Sequence, residues 1–376
     1  MKVQKLFLNF FKSQQAGGII LLLCTLASLI LANSSFGISY EKFWETEVFN
    51  HHLGHWINDG LMVIFFFLIG LELKREVIVG ELSDIKNALL PIVGALGGML
   101  VPAAIYIFFN AGTSTHSGFG IPMATDIAFA IGILSLLGKK VPLSLKVFLT
   151  ALAVIDDLGA ILVIAIFYSS TIYWINLGIA LAIFVALLIL NKLKFNFIWI
   201  YILGGIFMWY FMLHSGIHAT IAGVLLAITI PFHKDDSLSK SYKLQHLLHA
   251  PVAFFVLPVF ALANTAVMIA PGWEENFGEP YALGILGGLI LGKPLGIVLF
   301  CLMAVFLKIC ALPTGMNRIN LTGTGFLAGI GFTMSIFITL LAFDDAEIIN
   351  NAKFMILCAS FFAGIIGYIW LRISSR

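Results

Sequence analysis

Runs of about 20 predominantly apolar residues recur from one end of this chain to the other, and no other feature constrains its fold as much. A bilayer core of roughly 30 Å takes about 20 residues of α-helix to cross. Within it each backbone amide must find its partner inside the protein. Such runs fall near 17–34, 56–75, 87–109, 119–138, 143–168 and 172–191. Others follow near 197–213, 215–231, 249–270, 281–307, 319–343 and 351–371, with the division at His214–Ser215 the softest boundary. The pattern predicts an all-α polytopic membrane protein of about 12 transmembrane helices.

Composition closes the alternatives. Of 376 residues, 60% are hydrophobic and 11% charged, where globular chains carry roughly a quarter charged. So few charges cannot clothe a water-soluble surface, and disordered, collagen-like and nucleic-acid-binding classes fall away with it. Cys24, Cys301, Cys310 and Cys358 lie in apolar runs without CxxC spacing and read as small buried hydrophobes. Lys2, Lys5 and Lys12 precede the first run without a convincing cleavage site, so that run reads as a transmembrane helix rather than a signal peptide. Gly287 to Pro294 matches the GxxxxGK part of a nucleotide-binding loop. It lacks the closing Ser or Thr, however, and lies inside an expected span. No loop has room for a soluble catalytic domain. The chain is read as neither an enzyme nor a primary pump, with no cofactor and no nucleotide or nucleic-acid partner.

Charge placement gives orientation. With the amino terminus inside and strict alternation, inside positions collect Lys2, Lys5, Lys12, Lys74, Arg75, Lys86, Lys139, Lys140, Lys146, Lys192 and Lys194. They also collect Lys234, Lys240, Lys243, Lys308, Arg318, Arg372 and Arg376. Lys42 and Lys353 fall outside. This bias predicts that both termini are cytoplasmic.

Five ionisable groups remain within the spans: Asp59, Asp126, Asp156, Asp157 and Lys293. A central Asp or Lys costs about 2.5–3.5 kcal/mol even on the lenient insertion scale, so such groups pair structurally or handle ions and protons. Asp156 and Asp157 lie near mid-span, and their side chains project roughly 100° apart, one toward a cavity and one toward a neighbouring helix. Lys293, in Gly292-Lys293-Pro294, is the obvious basic partner. Pro122 predicts a helix break near Asp126, where a carboxylate would offset the positive end of a half-helix and Thr125 would add a hydroxyl. The glycines around Gly329 and Gly331 suggest a second break in the eleventh run, though close helix packing explains them as well. Runs 3–5 (about 87–168) and 10–12 (about 281–371) each place the interrupted run centrally and enter from opposite sides, as inverted repeats do. Asp59 reads equally as an interfacial carboxylate or part of an outer funnel. Glu72 and Glu76 share a helix face, lining an inner mouth or simply meeting water. His51, His52 and His55 cluster outside, and His246 and His249 precede the ninth run, but no Cys or Asp completes a zinc site in either group. His218 reads as a satisfied core histidine or as one that titrates near neutrality.

These residues resemble the NhaA family of bacterial Na⁺/H⁺ antiporters over essentially the whole chain. The resemblance is carried by Gly70 to Glu76, Met123 to Ala130, Ile155-Asp156-Asp157, Leu213 to Thr220 and Gly292-Lys293-Pro294. It implies that the fourth and eleventh spans unwind and cross at mid-membrane. Asp157 would be the main Na⁺ and proton carboxylate, with Asp156 beside it engaging Lys293 and Thr125 at the site. Asp126 and Lys293 would compensate the half-helix ends. Glu72, Glu76, His246, His249 and His218 would belong to pH sensing, although Gln245 stands where the family pattern has an acid. It further implies electrogenic exchange of cytoplasmic Na⁺ or Li⁺ for external H⁺ in the inner membrane, driven by the proton-motive force. A homodimer joined through an external β-hairpin within about residues 38–50 would be surrounded by lipid. A sodium-coupled symporter of an organic anion is the alternative within transport. An intramembrane aspartyl protease would need acids on facing helices and a GxGD sequence, which is not present.

Overall fold

The computed structural model describes residues 2–138, 141–169, 171–233, 239–269 and 272–374, with side chains from residue 16 onward. Lys139, Lys140, Lys234 and Arg376, and the side chains of Lys2, Lys5 and Lys12, lie outside the described set. In chain order the elements begin with α1 (Lys2–Ala32), α2 (Gly37–Trp44), a hairpin of β1 (Glu47–Val48) and β2 (His51–His52), and α3 (Leu53–His55). They continue with α4 (Met62–Ile78), α5 (Ile85–Asn110), α6 (Ile127–Leu136), α7 (Leu143–Phe167), α8 (Trp174–Lys192), α9 (Ile198–Leu213) and α10 (Ile221–Thr229). The last are α11 (Lys240–Pro251), α12 (Leu257–Asn264), α13 (Pro280–Leu286), α14 (Lys293–Phe306), α15 (Arg318–Ala328), α16 (Phe332–Ala342) and α17 (Ala346–Ser374).

Among the described residues, seven helices are long and apolar enough to cross a membrane, or nine if each bent pair counts as one span. Some helices join through wider π turns: Trp56–Leu61 links α3 to α4, Val252–Val256 links α11 to α12, and Gly287–Gly292 links α13 to α14. Two of these stretches end two residues before a proline, Pro258 and Pro294. Proline has no N–H for the usual partner four residues back, and a local change of register accommodates the lost bond.

Burial sorts the helices into layers. All residues of α16 from Phe332 to Thr339 are buried, whereas α8 buries only Ala180 and Leu187. Trp174, Ile175, Trp199 and Phe207 on α8 and α9 stand exposed, which suits a lipid-facing perimeter rather than a wetted one. The interior contacts run α14 on α5, α10 on α4, α15 on α17 and α1 on α6.

Three sequence expectations need correction. The hairpin lies at 47–52 rather than within about 38–50, because residues 37–44 form α2. Phe49 and Asn50 both adopt left-handed backbone (φ 50 and 64), as a two-residue hairpin turn requires. Asn suits that conformation, but Phe hides it from a sequence reading. The helix expected from residue 249 begins instead at Lys240, capped by the Ser239 hydroxyl on Tyr242 N. The run 215–231 is helical only over α10, since Gly216 (φ 83) turns the chain just before it.

The closest helix approach positions the site. A Cβ on Gly97 of α5 would lie 2.2 Å from Gly296 O, and one on Gly296 of α14 would lie 2.1 Å from Gly97 O. The two backbones therefore touch directly, as small residues permit in membranes. We expect Gly296→Ala to destabilise the protein by about 1–3 kcal/mol through overpacking, seen as a lower melting temperature in detergent. An unchanged melt would contradict the backbone contact.

Candidate functional site

Two interrupted helices meet in the buried centre. The first is a 3-10 helix, His116–Met123, followed by extended Ala124-Thr125-Asp126 and then α6. The interruption comes after Pro122 rather than at it, because Pro122 is accommodated within the 3-10 turns. The second passes from α15 through Gly329-Ile330-Gly331 to α16, bending by 47°. A Cβ on Gly329 would lie 2.3 Å from Leu289 O, so the chain approaches the α13–α14 π turn too closely for a side chain. Phe332 has φ 22, a sparsely populated conformation costing on the order of 1–3 kcal/mol. Its N–H donates to Ser360 Oγ at 3.1 Å, which ties the strained residue to α17.

Backbone groups freed at each interruption are met by the other. Asp126 N donates to Ile330 O at 2.7 Å, Ser335 Oγ to Ile121 O at 2.7 Å, and Thr125 Oγ1 to Ala328 O at 2.9 Å. Asp126 serves both amino ends. Its Oδ1 accepts Phe129 N of α6 at 3.0 Å, and its Oδ2 accepts Thr333 N of α16 at 3.2 Å together with the Thr333 hydroxyl. Amino ends carry partial positive charge, so one anion offsets two of them. Lys293 does the converse, donating from Nζ to Met123 O at a carboxyl end.

Lys293 also lies 2.6 Å from Asp156 Oδ2, with both side chains fully buried. The same Oδ2 is 2.6 Å from Thr125 Oγ1. That hydroxyl has one hydrogen and faces two acceptors, Asp156 Oδ2 and Ala328 O. Asp157 points elsewhere, and the charges acting on it are Asp156, Asp126, Lys293 and Glu72. Asp156 Oδ1 and Asp157 Oδ1 are buried and accept no hydrogen bond within the protein. Two unmet carboxylate oxygens in an interior this dry can be satisfied by a proton or by a small cation with oxygen ligands. Among the described residues, no three His, Cys, Asp or Glu side chains converge as a metal site.

Of the remaining candidates, only Glu72 and His249 reach this centre, through a small cavity. This cavity, of about 50 Å³, is lined by Glu72 and His249 as well as by Asp126 and Thr333. Glu76 accepts Glu81 N at 3.1 Å, and His246 is exposed, stacked on Tyr242. Neither Glu76 nor His246 lines that cavity. His218 Nε2 bonds Tyr168 O at 2.7 Å. Asp59 lies 3.1 Å from His55, a pairing that the sequence reading of Asp59 as an interfacial or funnel carboxylate did not include. Thr333, Ser360 and the Met123 and Ile330 carbonyls escaped the sequence reading. Thr333 belongs to no obvious motif and becomes visible only when the two interruptions are apposed.

The family description Na⁺/H⁺ antiporter 1 matches residues 8–371. A Na⁺/H⁺ antiporter NhaA of Flavobacterium psychrophilum is 62% identical over 372 residues, covering 99% of this chain and 97% of its own. One of Escherichia coli is 46% identical, with 98% of each chain covered. The structure of the sodium proton antiporter MjNhaP1 from Methanocaldococcus jannaschii matches with a TM-score of 0.58 at 16% identity, covering 100% of this chain and 99% of that one. That likeness is one of fold.

Removing one partner of a buried ion pair strands the other, at about 3–5 kcal/mol. Lys293→Ala is expected to lower stability by that order, because Asp156 and Met123 O both lose their donor. Lys293→Arg should recover part of it. Equal melting temperatures for Lys293→Ala and the native chain would show that the pair contributes no stability.

Proposed function

The chain belongs to the Na⁺/H⁺ antiporter 1 family and is a Na⁺/H⁺ exchanger; on that premise we propose that Na⁺ or Li⁺ and H⁺ compete for one site centred on Asp157 and Asp156. The observation that supports this reading is the pair of buried carboxylate oxygens, Asp156 Oδ1 and Asp157 Oδ1, that the protein itself leaves without donors. A hard cation takes oxygen ligands, and protonating the same carboxylates removes those ligands. Occupation by one species therefore excludes the other, and exchange follows without both being carried together.

Asp157 takes the principal role in this reading because Lys293 and Thr125 already engage Asp156. Thr125 contributes its oxygen when its hydrogen turns to Ala328 O. Asp156 and Lys293 titrate with Asp157 as a coupled set. Asp126 holds the half-helix ends in place, with both oxygens accepting donors. The small cavity between Glu72, His249 and Asp126 is the inner approach to the site. Glu72, Glu76, His246, His249 and His218 tune the pH response, while Asp59 sits at the outer funnel.

The wider frame belongs to the same proposal. Twelve spans place both termini in the cytoplasm of a bacterial inner membrane, with residues 87–168 and 281–371 as inverted repeats and the hairpin face outside. Alternating access moves the shared site between faces. Inward proton flow expels sodium electrogenically. The hairpin joins two copies as a dimer.

In proteoliposomes carrying a pH dye, Asp157→Asn is expected to abolish Na⁺-dependent proton flux. Near-normal flux in that variant would overturn the shared-site reading. Adding Na⁺ to the detergent-solubilised protein should release protons. Thr125→Val, losing one oxygen worth about 1–1.5 kcal/mol, should weaken the apparent Na⁺ affinity roughly tenfold.

A further inference from the structure

The hairpin-bearing face carries a titratable cluster that the exchange site does not use. His55 Nδ1 lies 3.1 Å from Asp59 Oδ2, one turn along the π-widened start of the helix that continues as α4. The His51 ring stacks on His55, with centroids 4.4 Å apart and planes at 27°, and His51 is exposed. The other ring nitrogen, His55 Nε2, is buried and has no hydrogen-bond partner.

The surroundings fix this cluster at a junction. Trp56 Nε1 donates to Val48 O at 2.7 Å, and His52 Nδ1 lies 2.6 Å from Glu45 O, so the hairpin is bound to the start of the span. Of the other titratable groups, Glu47 pairs across the hairpin with His52, and His218 approaches from the loop before α10, its charge acting on Asp59. From α12 comes Asn264, bonded to Asn58, and from α9 comes Trp209, bonded to Asp59 O. Neither titrates. His218 in turn holds Tyr168 O, and the Tyr168 hydroxyl donates to Ser117 O at 2.7 Å and accepts Gly120 N at 3.2 Å. His218 thus stands between the charge field of the cluster and, through Tyr168, the 3-10 half of the first interrupted helix.

We propose that His51, His55 and Asp59 form a second proton-binding station, through which the pH on the hairpin side sets the rate of exchange. With Asp59 ionised, a neutral His55 ring donates from Nδ1 to Oδ2 and keeps a lone pair on Nε2. A proton from the water around His51 adds to that lone pair, and the resulting imidazolium is held by the Asp59 carboxylate. The proton leaves by the same route, and no other bond forms or breaks. Two stacked imidazolium rings would repel, so a charged His55 disfavours a charged His51. Imidazole changes charge between about pH 5 and 8, the range in which the hairpin side would sense its medium. The readout rests on the exchange reading, but the station itself does not.

The test varies pH on the hairpin side of reconstituted vesicles while holding the other side constant. His55→Gln should retain maximal Na⁺-dependent exchange and shift or flatten its hairpin-side pH dependence by about one unit. His51→Gln should give a smaller change of the same kind, because His51 only stacks on His55. A second readout needs no transport. Trp56 lies 5.8 Å from the His51 ring and 6.5 Å from that of His55, so its emission, isolated by subtracting that of Trp56→Phe, should be quenched as hairpin-side pH falls. His55→Gln should abolish that quenching. Variants that keep the native pH profile and the native Trp56 titration would overturn the station. A native protein without Na⁺-dependent exchange but with the Trp56 titration would overturn the exchange reading instead.

Discussion

One opposition of charges organises this molecule. Two helices stop and restart inside an apolar bundle, and each stop leaves backbone dipoles that lipid cannot solvate. Asp126 faces the two amino ends, and Lys293 faces a carboxyl end while pairing with Asp156. Either charge alone would be costly at that depth. Together with the cross-links between Asp126 N and Ile330 O, and between Ser335 and Ile121 O, they make the irregular backbone tenable. The direct contact of Gly97 with Gly296 brings α14, and so Lys293, against α5.

That arrangement also separates two acids that are neighbours in sequence. Asp156 is committed to Lys293 and Thr125, whereas Asp157 Oδ1 has no hydrogen-bond partner in the protein. The difference arises from helical projection alone, about 100° between adjacent side chains. A single helix thus presents one carboxylate bound by Lys293 and Thr125 and a second that neither of them bonds.

Much of this was legible in the residues. Apolar periodicity located the long helices, and the buried-charge penalty singled out Asp126, Asp156, Asp157 and Lys293 without any contact information. Other features had no sequence signature. A backbone carbonyl such as Met123 O is the same in every residue, so its role as a lysine partner cannot be read from a side chain. The interruption after Pro122 depends on 3-10 turns that absorb the proline, and the hairpin depends on Phe49 tolerating a left-handed backbone. Polar residues at 240–248 masked the early start of α11, because hydropathy registers a span only where lipid begins. The His55–Asp59 contact has no motif of its own, since a His and an Asp one turn apart at the end of a span read as two separate interfacial residues.

The hydroxyl of Thr125 carries a last implication. Its lone hydrogen cannot serve Asp156 and the end of α15 at once, so it behaves as a two-position pointer. When the carboxylate holds its own proton, the pointer is free to swing to Ala328 O. When the carboxylate is bare, it is drawn back. The protonation state of Asp156 would thereby reach the tip of a neighbouring half-helix by rotation about one C–O bond, with no displacement of the backbone needed to begin it.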